Sequence, residues 1–400
     1  MIAENRRARA HVDIPLILMV SSLALFGILA VSVATYTTSS ESDVPLLNHI
    51  VSSSFALRQC LFVLLAPVAV SAIMAVPYDI LKRHSQILYF FINVLLLVTW
   101  VFNRATGVKA WLDVIWGYTI QPSEFVKLAL ILRMAQILAA REKPMSSIAD
   151  FFYIMVYAGV PMLITVASGE MGSTLVMIFL FAVMLFFSGV DWKIIVGLGL
   201  VAVLLVLSIY GFSIATGSDS YRLKRILAFF DPSAYASDDA YQQTQSKIAI
   251  GSGGLMGIGL FVNGAWSQLN YVPADWTDFI FATIGEAFGF VGCTALIVMY
   301  LFVILRMLYL AKYTYDHFGR LVIIGVMAMM LFHVFENVAM TTGRMPITGI
   351  PLPFISYGGS NMMTNMAGVA LVLNVTRNRS LSSAVPTPQR YTNLRRFRSK

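Results

Sequence analysis

Apolar residues run in blocks of about twenty along most of the chain, the length a helix needs to cross a hydrocarbon layer. Ten such blocks are predicted as membrane-spanning helices, at 14–34, 56–77, 85–102, 121–140, 151–168, 172–189, 193–213, 278–310, 319–342 and 358–376. The apolar stretch of the first is too long for a cleaved signal peptide, despite the small residues Ser32-Val33-Ala34. Two segments break the rhythm. Residues 214–277 form a connector of 64 residues, far beyond the roughly 15 at which a loop is usually functional or disordered. Its aromatic residues (Tyr221, Phe229, Phe230, Tyr241, Trp266, Tyr271) and the stretch IAIGSGGLMGIGLF at 248–261 predict an ordered, partly re-entrant loop. The second segment, MPITGIPLPFISYGGS at 345–360, is apolar, yet three prolines and three glycines argue against a continuous helix. Non-helical backbone at membrane depth survives only where protein or a water-filled cavity satisfies it.

Composition sharpens this picture. Hydrophobic residues make up 58% of the 400 and charged residues 12%, against roughly 25% charged in an ordinary globular domain. Mean hydropathy is +0.76. A soluble, disordered, fibrous or disulfide-stapled chain is excluded. Cys60 and Cys293 both sit in apolar runs and read as small fillers. The net charge of +8 does not call for nucleic acid, because basic residues in a membrane protein report topology. With the N-terminus inside, 19 of the 28 lysines and arginines fall on inner segments and span ends, and eight fall outside. Lys127, in the outer half of a span, counts for neither. Both termini are therefore predicted in the cytoplasm of a cell with a multi-pass plasma-membrane protein, where the excess charge meets the anionic surface of the lipid bilayer. The fold class is an all-α polytopic membrane protein of about ten transmembrane helices, with a large ordered extracytoplasmic loop between spans seven and eight. Residues 1–13 are the cytoplasmic N-terminal segment, 14–376 a single transmembrane domain holding the 214–277 loop, and 377–400 a basic cytoplasmic tail.

Ionisable groups at membrane depth are costly and usually functional, and here they gather at the outer ends of spans. Glu124 and Lys127 follow Gln121-Pro122-Ser123 in the first turns of span four, and their i, i+3 spacing puts both on one helix face. Glu170 lies at the outer turn between spans five and six, and Asp278 begins span eight. Each also has a plainer reading: a helix-start ion pair, a solvated turn carboxylate, and a carboxylate favoured by the helix dipole. Glu286 and Glu336 sit deeper and read as buried interhelical hydrogen-bond partners, His333 as packing or a hydrogen bond, and Gly285, Gly289 and Gly292 as a close packing face. The chain shows no zinc spacing, Walker loop or Ser-His-Asp order, so catalysis would rest on carboxylates, basic side chains and a borrowed divalent cation.

Four stretches together resemble a known family. IQPSEFVKLAL (120–130), QSKIAIGSGGLMGIGL (245–260), PADWTDFIFATIGE (273–286) and PITGIPLPFISYGGS (346–360) are similar to the signatures of the SEDS proteins, the shape, elongation, division and sporulation polymerases of bacterial cell-wall synthesis. Within that family GAWSQLNYVP (264–273) is closer to RodA, the elongation member, than to FtsW, the division member. The resemblance implies a peptidoglycan glycosyltransferase that polymerises lipid II outside the membrane, in elongation and shape maintenance. It makes Asp278, in Thr277-Asp278-Phe279-Ile280-Phe281, the essential carboxylate, and it maps the family's glutamate and lysine onto Glu124 and Lys127. It also implies a class B penicillin-binding protein as transpeptidase partner. Three departures stand out: Glu170 replaces an aspartate, Trp276 a frequent histidine, and Ala287 a second glutamate.

Joining an α-linked diphosphate donor into a β-1,4 glycan inverts the anomeric carbon. Such a transfer needs a base near the acceptor hydroxyl and positive charge near the departing undecaprenyl diphosphate. Asp278 is the expected general base. Lys127, Arg222 and Lys247 are candidates to offset diphosphate charge, unless a divalent cation (Mg or Mn) serves instead. Glu124, Glu170, Gln268 and Ser356 complete the expected substrate-binding set, in a cavity lined by spans four and eight, the long loop and SYGGS. The competing reading is a lipid II flippase, and a third is a scaffold. Concentration of the polar set at the outer ends argues against the flippase, and the buried carboxylates argue against the scaffold.

Overall fold

The computed structural model describes residues 12–36, 50–51, 53–102, 110–115, 118–215, 238–269 and 271–382. In chain order the helices are α1 (Ile14–Ala34), α2 (Ser54–Ala75), α3 (Tyr78–Phe102), α4 (Pro122–Ala139), α5 (Ile148–Ser168), α6 (Met171–Phe187), α7 (Trp192–Ala215), α8 (Asp238–Ser252), α9 (Ile280–Lys312), α10 (His317–Thr341) and α11 (Gly359–Ser382). A short antiparallel ribbon, β1 (Leu112–Ile115) and β2 (Tyr118–Ile120), precedes α4, with Leu112 opposite Ile120. Each of the ten predicted blocks falls on a helix. Six of the helices are long and apolar enough to cross a membrane.

Local chemistry sets the ends. Asp13, Ser53, Ser147 and Asp316 cap α1, α2, α5 and α10 through side-chain oxygens that accept backbone N–H groups. Gly169, at φ 97°, closes α5 in the left-handed conformation that glycine adopts without strain. α3 starts seven residues before its predicted block, since the polar turn Asp79–Arg83 continues the helix beyond the apolar stretch.

Two helices form the axis. Fifteen of the eighteen residues of α4 are buried, and α10 packs against α4, α6, α9 and α11. By contrast only Ala56, Gln59 and Ala66 of α2 are buried, so α2 lies outside, against α11 and α1. Outward side chains are as apolar as inward ones: Leu64, Phe91 and Phe102 are all exposed. That pattern suits a surrounding of lipid rather than water.

α9 is broken. At Gly289 the backbone takes φ 65° and ψ −163°, a region that is essentially open to glycine alone. The turns at 253–259 run back beside this point, about 13 Å along the helix from Ile280. They restore the lost ladder: Ile258 and Gly259 N–H donate to the Glu286 and Ala287 carbonyls (2.9 and 3.2 Å). In return Phe290 and Val291 N–H donate to the Gly254 and Leu255 carbonyls (2.9 and 3.1 Å). The loop predicted as ordered is therefore ordered where described, with α8 inside it. A packing role alone had been expected of Gly289, and the structure adds the break.

The 345–358 segment is non-helical and buried at Ile350, Leu352, Phe354, Ile355 and Ser356. Protein satisfies its backbone. Asn337 Nδ2 donates to the Ile350 carbonyl (2.7 Å), the Leu352 N–H donates to Ser356 Oγ (2.8 Å), and the Tyr300 hydroxyl donates to the Pro353 carbonyl.

Candidate functional site

Asp278 stands two residues before α9, not inside it, in the turn closed by Thr277 and Phe279 N–H groups on the Ala274 carbonyl (3.1 and 3.2 Å). Three bonds pin this turn from outside. Asn337 Nδ2 donates to the Asp278 carbonyl (2.8 Å), Ser356 Oγ to the Thr277 carbonyl (2.6 Å), and the Tyr357 N–H to the Trp276 carbonyl (2.9 Å). The backbone around Asp278 is thus fastened to α10 and to the Pro/Gly segment on both sides. Its side chain is part-exposed and lies over Gly349. Phe55 stacks on Trp276 at 5.2 Å between ring centroids, and Tyr357 meets Phe55 edge-on at 5.1 Å.

The first turns of α4 form the second part. Lys127 Nζ donates to Glu124 Oε1 (2.6 Å) and lies 3.0 Å from His333 Nε2 on α10. Ser123 Oγ donates to Glu170 Oε2, which ties the start of α6 to the start of α4. The Gln121 N–H donates to Ser360 Oγ (3.0 Å), at the start of α11. Burial pushes the Glu170 carboxyl above the usual carboxylate range; the Ser123 and Gln121 hydrogen bonds oppose the rise and the Glu124 charge adds to it.

The remaining residues frame this end of the bundle. α8 is docked by Gln243 and Ser246, whose side chains donate to the Met345 and Thr341 carbonyls (both 2.9 Å). It carries Lys247, which is exposed, with its stem laid over Gly343. Glu286 accepts the Trp266 and Ser267 N–H groups (2.6 and 3.0 Å) and holds the 264–269 turns in place. Glu336 accepts from Thr348 Oγ1 (3.0 Å). Both glutamates are hydrogen-bond partners, as expected, but of loop segments rather than of helices.

Segments distant in sequence therefore meet at one end of the bundle, though not as an open cavity around every expected residue. Glu124 and Lys127 are 2% and 1% exposed and face each other rather than a ligand. Ser356, expected at the substrate, is fully buried with its hydroxyl donating to Thr277 and accepting from Leu352. It positions the Asp278 turn instead. Gln268 Oε1 accepts the Gly264 N–H (2.8 Å) and lines a cleft of about 10 Å³ with Ser267 and Glu286, the space of one water molecule. Arg222 lies outside the described residues. Asn337, which holds both Asp278 and Ile350, was missed; its only sequence signal is an amide in an apolar span. Asp275, fully buried with neither carboxylate oxygen in a full hydrogen bond, was missed as well. Among the described residues no three of His, Cys, Asp and Glu lie close enough to form a metal site by themselves.

A family model described as "Cell cycle protein" (FTSW_RODA_SPOVE) matches residues 14–381. The chain is 33% identical to a probable peptidoglycan glycosyltransferase FtsW of Geobacter sp. (strain M18) over 375 residues, which cover 93% of this chain and 98% of the relative. It is 30% identical to the peptidoglycan glycosyltransferase MrdB of Escherichia coli (strain K12) over 377 residues, 94% and 96% of the two chains. A solved chain described under "Structural coordination of polymerization and crosslinking by a peptidoglycan synthase complex" superposes with TM-score 0.74 at 26% identity, covering 92% of this chain and 98% of that one.

Proposed function

The chain belongs to the FtsW/RodA/SpoVE family and is a peptidoglycan glycosyltransferase; from that premise we propose how its residues carry the reaction. The substrate is lipid II, presented at the outer leaflet with its undecaprenyl tail in the bilayer. Asp278 takes the proton from the acceptor hydroxyl as that oxygen attacks the anomeric carbon from the face opposite the diphosphate. The bond to the diphosphate breaks on the other side, which gives the β-1,4 link. The observation that carries this reading is the pinned turn: a part-exposed carboxylate whose backbone is fixed by Asn337, Ser356 and Tyr357. A base held in one place loses little entropy in reaching its reactive geometry.

Positive charge for the leaving diphosphate comes from the exposed Lys247 and from Arg222. Lys127 acts from inside the wall, as a fixed charge paired with Glu124, and Glu170 braces that pair through Ser123. Gln268 contacts substrate at the mouth of its cleft.

We read the chain as ten spans, an even number that leaves both termini on one side, with 1–13 and 377–400 as segments around one transmembrane domain; the inner bias of lysine and arginine supports the cytoplasmic side. The elongation role rests on the GAWSQLNYVP stretch at 264–273, since identities of 33% and 30% to FtsW and MrdB relatives do not divide the branches. A class B penicillin-binding protein supplies cross-linking, because this chain shows no S-x-x-K serine motif with its companions. Purified protein incubated with lipid II in detergent should produce glycan chains. Absence of polymer from well-folded protein, together with lipid II translocation in vesicles, would replace this reading by the flippase.

A further inference from the structure

We infer that His333 is a positioning residue for this reaction, holding the Lys127 ammonium as a neutral hydrogen-bond acceptor and locking α4 against α10, the helix that pins the Asp278 turn through Asn337. The inference rests on the reading of Asp278 as the base. Lys127 Nζ lies 3.0 Å from His333 Nε2 and 2.6 Å from Glu124 Oε1, and both Lys127 and His333 are 1% exposed. An ammonium has hydrogens to give and nothing with which to accept. Nε2 must therefore offer its lone pair, so the ring is neutral and carries its proton on Nδ1. A protonated ring would set N–H against N–H in a site that water does not reach.

The two acceptors fix the direction of a side chain that otherwise has four rotatable bonds. His333 also stands one turn before Asn337 on α10, and Asn337 bonds the Asp278 carbonyl (2.8 Å) and the Ile350 carbonyl (2.7 Å). One face of α10 thus grips Lys127 of α4 at one turn and the Asp278 turn at the next. Losing the first grip lets α4 shift relative to the base. A displacement of about 1 Å can cost on the order of 100-fold in rate.

Glutamine can place an amide oxygen where Nε2 stands, whereas asparagine, shorter by one carbon, reaches only the position of Nδ1. Lipid II polymerisation by the purified, detergent-solubilised full chain should therefore separate His333→Gln from His333→Asn. We expect His333→Gln to keep kcat within about threefold of wild type, and His333→Asn to lose about 10- to 100-fold in kcat with KM little changed. In a Lys127→Met background the same His333→Asn change should cost less than about twofold, because the partner it positions is gone. Equal activities for the glutamine and asparagine variants would overturn the inference, and so would a full His333→Asn loss in the Lys127→Met background. Asp278→Asn, assayed alongside, reports on the reading beneath it: wild-type activity there removes the general base whatever the His333 variants do.

Discussion

Asp275 shows what burial does to a single carboxylate. It is fully buried with neither oxygen in a full hydrogen bond, and burial holds its carboxyl well above the usual range; the backbone N–H groups of Trp276 and Asp275 beside it oppose the rise and the charge of Glu286 adds to it. The unfolded chain releases this proton near the ordinary aspartate value of about 3.9, whereas the folded protein keeps it to higher pH. Stability from this group is therefore complete below that value and declines as pH rises toward the folded one. Asp275→Asn removes the charge and keeps the shape. Its apparent melting temperature should exceed that of wild type by about 2 °C or more near neutral pH, and the gap should close as the medium is acidified. A gap that widens in acid would contradict the assignment. Neither this residue nor Asn337 was legible beforehand, because both depend on what lies across from them in space. Asp278, Glu124 and Lys127 were legible: one sits in a recognisable motif, and the other two share a helix face through their spacing. Even there, burial of the Glu124–Lys127 pair could not be read from spacing. Breaking such a buried pair costs about 3–5 kcal/mol, since one charge is left uncompensated.

At the scale of elements, all ten apolar blocks fall on helices, because length and apolarity are properties of the chain itself. The break in α9 was hidden. Gly289 sits in an apolar run, and its positive φ exists only because the 253–259 turns supply the hydrogen bonds that the helix loses there. Gly289→Ala forces a side chain into a conformation that costs on the order of 1–3 kcal/mol and drives its Cβ against the Gly257 N–H and the Leu255 carbonyl. The variant should melt several degrees below wild type and be cut faster by protease within 253–269. Gly159→Ala in α5 is the control. A Cβ there meets nothing within 4 Å, and alanine favours a helix by about 0.5–1 kcal/mol, so that variant should match or exceed wild type. Equal behaviour of the two would show that the stitched break contributes no stability.

For the whole molecule, the end that gathers Asp278, Lys247 and the 345–358 segment is the site proposed for a membrane-held substrate, and cross-linking calls for a partner. A class B penicillin-binding protein is expected to copurify from native membranes in mild detergent, detected by its covalent labelling with a fluorescent β-lactam. Repeated recovery of the chain alone under conditions that keep other membrane complexes together would count against the partnership. The central claim rests on one carboxylate and can be tested by one substitution. Asp278→Asn keeps the turn, since its pinning bonds are made by backbone carbonyls at 277 and 278 and at Trp276, but it removes the base. General bases contribute about 10²–10⁴-fold. Purified Asp278→Asn protein, matched to wild type in melting temperature, should therefore polymerise lipid II at about 1% of the wild-type rate or less, and polymerisation at the wild-type rate would contradict the account.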